Sequence, residues 1–351
     1  MYFKVDYGIK SDWLHNLNSF DIKSYDVYHL PNYANLDTYS HNSIAESFYY
    51  LEGDMHFLFP YIKKKIPDSD FYDFETPYGY SGPISTSNNK SFLEKAWNKC
   101  FNCLIEKKII AGLVRFNPFI ENKDIPSGSF PTSFDRKIAV IDFSHINGDS
   151  YLYDHLHPSN KKSILAAQRK GLSFYIDEAF EQLERFMELY YSTMAKINAE
   201  EKFLFSSKYF HSIKKCFEKN SFLVHALIGE KIISSALILS HGSIAHYHLS
   251  CSDSNYLTLC PNNIMLHECS RYLKNKGYKY FNLGGGTNNS MRNSLFVFKS
   301  KFANQLYDFY IGKMILNKDI YLKICSLWEK KVSSTIVDIY SNHLLKYRYI
   351  D

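Results

Sequence analysis

The fold is decided by the sequence FLVHALIGEKIISSALILSHGSIAHYHLS, residues 222–250, together with the patterns that follow it up to residue 313. Three apolar runs separated by short turns predict three strands, at 222–228, 232–239 and 244–250. A helix, a short strand, a second helix and a last strand are predicted to follow, at 262–276, 280–283, 294–302 and 306–314. The order is three strands, helix, strand, helix and strand.

Weaker patterns surround this stretch. Strands are predicted at 27–31, 43–50, 56–62, 109–116, 138–143 and 172–176. Helices are predicted at 91–107, 159–171, 178–197 and 207–218. Residues 320–349 read as mostly helical, and we expect this tail to pack on the second domain or to pair with another chain.

A chain of 351 residues is long enough for two domains, and the polar stretch 144–160 marks the boundary. We therefore predict an α/β protein in which two domains each have a mixed sheet flanked by helices. The predicted divisions are residues 1–150, 151–318 and a helical tail at 319–351.

Composition limits the function classes. The net charge of +5 is too small to indicate a nucleic-acid partner by itself. Asp6, Lys10 and Asp12 interrupt the N-terminal segment, which therefore does not resemble the apolar core of a signal peptide. No apolar run reaches the roughly 18 residues that a membrane helix needs. Seven scattered cysteines suit a reduced protein, so we expect a cytoplasmic location without membrane insertion.

Six short motifs carry a family resemblance. They are TPYGYSGP (76–83), RFNP (115–118), HPSNKK (157–162), HYHLS (246–250), LGGG (283–286) and FKSKF (298–302). With the element order, they resemble the Fem-like branch of the GNAT acyltransferase superfamily. The resemblance implies two GNAT-like domains in tandem. Some members of that branch use aminoacyl-tRNA to build peptidoglycan bridges, and others resemble enzymes that acylate nucleotide-linked amino sugars from acyl-coenzyme A.

The sequence departs from ordinary GNAT enzymes at one place. Those enzymes carry a glycine-rich loop that holds the pyrophosphate of coenzyme A, whereas residues 259–263 read LCPNN. The helix that starts after Pro261 still offers the positive end of its dipole. We therefore expect Asn262 and Asn263 to help bind the cofactor.

The fourth strand of a GNAT domain holds the acyl group, and here it is residues 244–250. Strict alternation places His246, His248 and Ser250 on one face and Tyr247 and Leu249 on the other. A histidine suits removal of a proton from an ammonium group, so His248, and after it His246, is predicted as the general base. The alternative is a pair of hydrogen-bonded core histidines, with Asp73 or Glu75 taking the proton.

The remaining predicted site residues fall into two sets. The acyl-coenzyme A set comprises Leu249, Ser250, Asn262, Asn263, Gly285 and Lys299. The acceptor set comprises Glu75, Tyr78, Tyr80 and Arg115, of which the tyrosines stack on a base and the arginine grips a pyrophosphate. Four of these residues have a structural alternative: an ion pair for Arg115, core packing for Tyr78 and Tyr80, and a solvated surface for Lys299.

The leading functional hypothesis is an N-acyltransferase that moves an acyl group from acyl-coenzyme A to a dTDP- or UDP-linked deoxyamino sugar for O-antigen or capsule. The runner-up is an aminoacyl-tRNA-dependent transferase acting on a peptidoglycan precursor. A third is a non-catalytic binder of anionic glycan or RNA. The leading hypothesis implies small-molecule partners, no metal and no nucleic acid, and leaves a homodimer open.

Overall fold

The computed structural model describes residues 2–7, 12–36, 38, 43–126, 128–146, 155–200 and 203–350. The chain forms two compact units, one of residues 1–135 with 309–351 and the other of residues 136–308. The predicted boundary between residues 150 and 151 lies outside the described residues. The observed division instead starts the second unit at Arg136 and returns the C-terminal segment to the first unit.

The described residues contain thirteen strands and ten α-helices. The strands are β1 (Tyr2–Tyr7), β2 (Ser43–Glu52), β3 (Met55–Lys65), β4 (Tyr72–Glu75), β5 (Ile84–Ser85), β6 (Ile109–Arg115), β7 (Thr132–Asp142), β8 (Leu172–Asp177), β9 (Ser221–Ile228), β10 (Lys231–His241), β11 (Ile244–Ser252), β12 (Tyr280–Gly284) and β13 (Gln305–Ile315). The helices are α1 (Trp13–Leu17), α2 (Pro31–Leu36), α3 (Lys90–Glu106), α4 (Pro158–Arg169), α5 (Leu183–Lys196), α6 (Ser207–Cys216), α7 (Pro261–Asn275), α8 (Ser294–Ser300), α9 (Lys318–Lys331) and α10 (Ser334–Tyr340).

Both units have the same strand order. In the first unit the hydrogen-bonded order is β1-β2-β3-β4-β6-β13, and in the second it is β8-β9-β10-β11-β12-β7. Each order has one parallel pair, β4 with β6 and β11 with β12, among antiparallel neighbours. The predicted fold class, two α/β domains that each contain a mixed sheet, is confirmed.

The predicted elements of residues 222–313 are confirmed within two residues at either end. The predicted strand at 27–31 is wrong, because Val27–His29 is a 3-10 turn and α2 begins at Pro31. The Asp26 side chain accepts a hydrogen bond from the Val27 N–H, and proline suits a first helical position because its missing N–H would have no partner there.

The core of the second unit lies against one face of its sheet. Helices α4 and α7 bury apolar side chains there, including Ile164, Met265 and Cys269, against strand residues such as Ile238 and Phe281. Helices α5 and α6 cover the opposite face, where Phe186 and Phe210 meet with ring centroids 5.5 Å apart. This two-sided cover explains why β10 is buried along almost its whole length.

The C-terminal segment packs within the first unit and not on the second domain, which was one of the two expectations for it. Pairing of this segment with another chain stays a prediction. Tyr321 and Trp328 of α9 join Ile66 and Ile110 in one hydrophobic cluster. Beyond the helices, Arg348 donates from Nε to Asp73 Oδ2 at 2.7 Å, and the Asp73 side chain is fully buried. The apolar stripe of α9 therefore covers the first sheet.

Substituting Arg348 tests this anchoring. In the Arg348→Met variant, Asp73 loses its cationic partner while staying buried, so we expect the free energy of unfolding to fall by about 3–5 kcal/mol. Lys331→Met is the matched control, because Lys331 pairs with Asp68 at the surface and we expect no measurable change. Chemical denaturation measures both, and equal effects in the two variants would contradict this role of Arg348.

Candidate functional site

The second sheet opens between its two parallel strands. Residues Ile244–His246 of β11 pair with Tyr280–Asn282 of β12, and from residue 247 onward β11 pairs only with β10. The opening, called the fork below, starts where Asn282 Nδ2 lies 3.1 Å from His246 Nδ1. His246 is only 1% exposed, so it belongs to the base of the fork and fits the predicted alternative of a hydrogen-bonded core histidine.

The equivalent place in the first unit is closed. After β4 and β6 pair, the Thr76 N–H continues the ladder to Leu113 O at 3.0 Å. The Arg115 N–H then binds Thr76 Oγ1 at 2.9 Å, and Ser81 bridges to Phe116. Among the described residues, the parallel pair of the second unit is the one that parts. The fork is therefore the candidate site.

A bulge in β11 lies beside the fork. Tyr247 pairs with Ile238 and Leu249 pairs with Leu237, so His248 is the one extra residue between two consecutive pairs of the β10–β11 ladder. The extra residue reverses the alternation beyond it, and Ser250 pairs with Ala236 on the face of Tyr247. The predicted faces are therefore wrong for Leu249 and Ser250, which exchange sides relative to strict alternation.

His248 is held by a residue that the sequence did not single out. Tyr209 Oη of α6 lies 2.7 Å from His248 Nε2, and Tyr209 is 4% exposed. Burial, with a smaller effect of the neighbouring His246, lowers the pKa of His248 to about 3. An imidazole with that pKa is neutral at pH 7 and a weak proton acceptor, which does not favour the predicted role of His248 as general base.

Lys299 lies at the other side of the fork. Its Nζ donates to Gly285 O at 3.0 Å, and burial lowers the pKa of Lys299 to about 8. The glycines serve close packing, because a Cβ on Gly285 would lie 2.9 Å from Arg136 Cδ and one on Gly286 would lie 2.5 Å from Asn293 Oδ1. Lys299 is thus a half-buried cation whose charge changes near neutral pH.

The start of α7 differs from a glycine-rich pyrophosphate cradle. Asn262 Oδ1 accepts from Ser234 Oγ at 2.5 Å and from Ser252 Oγ at 3.0 Å, and Asn263 Nδ2 donates to Asn160 Oδ1 at 3.2 Å. Both carboxamides are engaged with protein groups, and Pro261 supplies no N–H. Binding of coenzyme A at this helix start stays a prediction, and it would have to use backbone N–H groups or replace these side-chain contacts.

The predicted acceptor residues lie in the first unit. Glu75 accepts from Arg115 Nη2 at 2.7 Å and from Lys64 Nζ at 2.9 Å, and these cations hold the pKa of Glu75 well below its usual range against the opposing effect of burial. Tyr80 packs edge-on against Phe309 with centroids 5.2 Å apart, whereas Tyr78 is 38% exposed. The structural alternatives, an ion pair for Arg115 and packing for Tyr80, describe these contacts.

Within the described ranges, no group of three His, Cys, Asp or Glu side chains is placed to hold a metal ion. No helix in the described part of the chain combines the length and hydrophobicity of a membrane span.

Three residues at the fork escaped the sequence-based prediction: Asn282, Arg136 and Tyr209. Asn282 could have been singled out from the sequence, because it is a polar residue within the otherwise apolar strand YFNLG. Arg136 donates from Nη1 to Gly286 O at 3.0 Å but precedes its contact by 150 positions. Tyr209 lies in an ordinary amphipathic pattern, so nothing in its neighbourhood indicates a contact with β11.

The neutral state of His248 predicts a pH dependence of stability. The pKa of this group is about 3 in the folded chain and about 6.5 when unfolded, so between these values only the unfolded chain takes up the proton. Stability should therefore fall as pH decreases through this window, by about 1 kcal/mol per pH unit from this residue. His248→Gln, which cannot titrate, should show a shallower fall in denaturation measured from pH 7 to pH 4. Equal slopes would contradict a neutral His248 in the folded chain.

Comparison with known proteins gives a partial family match. Residues 159–292 match the family model described as acetyltransferase (GNAT) domain, a segment that contains α4, β11, α7 and β12. No curated protein sequence matches this chain.

Solved structures match over nearly the whole chain. FemX has a TM-score of 0.71 at 14% identity and covers 92% of this chain and 100% of its own. L-PGS from Bacillus licheniformis has a TM-score of 0.59 at 11% identity, and the match covers 97% of this chain and 98% of L-PGS. A tandem GNAT protein from the clavulanic acid biosynthesis pathway, solved without AcCoA, has a TM-score of 0.52 at 6% identity. That match covers 89% of this chain and 98% of the other protein. The chain therefore has a tandem GNAT fold, with the GNAT domain match at residues 159–292.

Proposed function

We propose that the protein transfers an acyl group from an activated donor to an amine, and that the fork of the second unit is where the transfer occurs. The observation that carries the proposal is the parting of β11 and β12 after His246 and Asn282, with a bulge on one side and a half-buried cation on the other. The match to the GNAT domain model includes both strands of the fork.

The reaction needs an amine nucleophile and stabilisation of the oxygen that becomes negative when the carbonyl is attacked. The bulge takes His248 out of the β10 ladder. In the proposed reaction, backbone N–H groups beside it bind the developing oxyanion. Lys299, with its pKa of about 8, supplies a positive charge at pH 7 and a proton for the leaving group. The amine must arrive as the free base, because His248 is a weak acceptor. The proton that the amine loses as the amide forms returns to Lys299 and replaces the one given to the leaving oxygen.

We propose aminoacyl-tRNA as the donor and a peptidoglycan precursor as the acceptor, which reverses the order of the two sequence-based hypotheses. Residues 259–263 depart from the glycine-rich loop of ordinary GNAT enzymes, and the Fem-like branch that the motifs resemble includes enzymes that use this donor. Charge supports the choice, since residues 136–308 contain 21 Lys and Arg against 15 Asp and Glu, a net charge of +6, while the first unit has −1. A positive unit favours a polyanionic donor.

Acyl-coenzyme A with a nucleotide-linked amino sugar remains the second candidate. The description of the matching family model, an acetyltransferase, favours it.

A transfer assay separates the candidates. We expect radiolabel from a mixture of charged tRNAs to appear on a UDP-linked muramyl peptide, and no acetyl transfer from acetyl-coenzyme A to UDP- or dTDP-linked amino sugars. Label moving only from acetyl-coenzyme A would establish the second candidate in its place. Absence of transfer in both arms would contradict the proposed function.

Lys299 provides the mutational test. Lys299→Met should lower kcat by about 10²-fold or more, since it removes the charge beside the reacting carbonyl. In the wild type the rate should fall above about pH 8, as the ammonium loses its proton. Lys301→Met, two residues further along, is the control and should keep wild-type kcat. A fully active Lys299→Met enzyme would contradict the role of this lysine.

A further inference from the structure

Helix α4 and the residue after it carry positive charge without any negative charge. Residues 158–170 contain Lys161, Lys162, Arg169 and Lys170, and they contain no Asp or Glu. The second unit has a net charge of +6, so this single segment supplies four of the six excess charges. The HPSNKK motif, which opens the helix, takes no part in the reaction proposed above.

Two of these cations lie on the face of α4 that points away from the core. Asn160, Ile164 and Ala167 form the buried face of the helix. With 3.6 residues per turn, Lys162 and Arg169 fall on the opposite face, and both are exposed. They are seven residues apart, which is about two turns or about 10 Å along the helix axis. The exposed face that carries these two residues is called the α4 face below.

The protein itself does not neutralise this charge. Within the part of the chain that the structure describes, the side chains of Lys162, Arg169 and Lys170 form no ion pair and no hydrogen bond. Other surface cations of the same unit do have acidic partners, as Lys276 has in Glu178 at 3.1 Å. The α4 face is therefore a positively charged surface available to an anionic partner.

The α4 face begins close to the fork. The His157 N–H donates to Lys301 O at 3.2 Å, at the end of the helix that carries the half-buried lysine of the fork. Asn263 Nδ2 donates to Asn160 Oδ1 at 3.2 Å, at the start of the helix that follows β11. The first turn of α4 is thus held by α7 and α8. Its last turn leads into β8, which β9 and β10 separate from β11.

We propose that the α4 face binds the phosphate backbone of the donor RNA, next to the aminoacylated 3′ end that enters the fork. The inference rests on the proposed function, because it takes aminoacyl-tRNA as the donor. A stacked strand rises about 3.4 Å per nucleotide, so Lys162 and Arg169 are about three nucleotides apart. Contacts with phosphates position a nucleic acid without reading its sequence, which suits a surface of lysine and arginine.

Binding of uncharged tRNA, followed by fluorescence anisotropy over a range of salt concentrations, tests the surface without any transfer. In the double variant Lys162→Gln with Arg169→Gln, called the α4 variant, we expect about 5- to 10-fold weaker binding at low salt. The slope of log affinity against log salt should become shallower by about one to two, because two phosphate contacts are lost. The matched control, Lys215→Gln with Lys219→Gln, removes the same charge from exposed positions at and beyond the end of α6. We expect it to bind tRNA like the wild type.

Kinetics with two donors test where the RNA lies. With charged tRNA, the α4 variant should have a KM about 5- to 10-fold higher and a kcat within about twofold of the wild type, because the α4 face binds the donor away from the reacting carbonyl. Aminoacyl-adenosine has the same ester but no phosphate, so with this donor both enzymes should have equal kcat/KM. An equal loss with aminoacyl-adenosine would overturn the proposal, since the substitutions would then act on the fork itself.

The binding measurements separate this proposal from the proposed function. Wild-type tRNA affinity in the folded α4 variant, or an equal loss in the control, would overturn the proposal even if charged tRNA proved to be the donor. Binding to phosphatidylglycerol vesicles in place of tRNA, lost in the α4 variant, would also overturn it. Binding of tRNA that depends on the α4 face, together with transfer from acetyl-coenzyme A alone, would overturn the proposed donor and leave the RNA-binding surface standing.

Discussion

The parting of two parallel strands is the constraint on which the candidate site depends. Up to His246 and Asn282, β11 and β12 satisfy each other's backbone groups, and beyond that contact each strand must find other partners. β11 keeps β10 along one edge and shifts register by one residue at His248. β12 ends two residues later in the glycine loop, which Arg136 and Lys299 hold by its carbonyl oxygens. The opening therefore lies between backbone segments of β11 and β12 that would hydrogen-bond to each other if the two strands stayed paired.

The first unit shows what the same strand order does without the opening. There the segment after β4 returns to β6 through Thr76, and the Arg115 side chain pairs with Glu75. Lys64 adds a second cation to Glu75, so the polar groups nearest to the closed pair satisfy one another. The two units therefore share one strand order but differ in a few side-chain hydrogen bonds and ion pairs. Among the described residues, the parallel strands of the second unit part, and a substrate can bind between them.

Local patterns predicted most of the fold, because strand and helix periods are properties of neighbouring residues. The elements between residues 222 and 313 needed nothing more. The faces of Leu249 and Ser250 could not be predicted, since one extra residue in β11 reverses them and no single residue type requires a bulge there. Tyr209 contacts His248, 39 positions away, and Arg348 contacts Asp73, 275 positions away. Such contacts depend on the folded chain and cannot be predicted from local sequence.

The central claim is that the reacting carbonyl binds in the fork of the second unit. A crystal structure of the protein with a non-hydrolysable analogue of an aminoacylated tRNA 3′ end tests it most directly. We expect the analogue's carbonyl oxygen to lie within hydrogen-bond distance of the backbone beside His248, with Lys299 close to the leaving oxygen. Density for the analogue away from β11 and β12, for example against Glu75 and Arg115 in the first unit, would contradict the account.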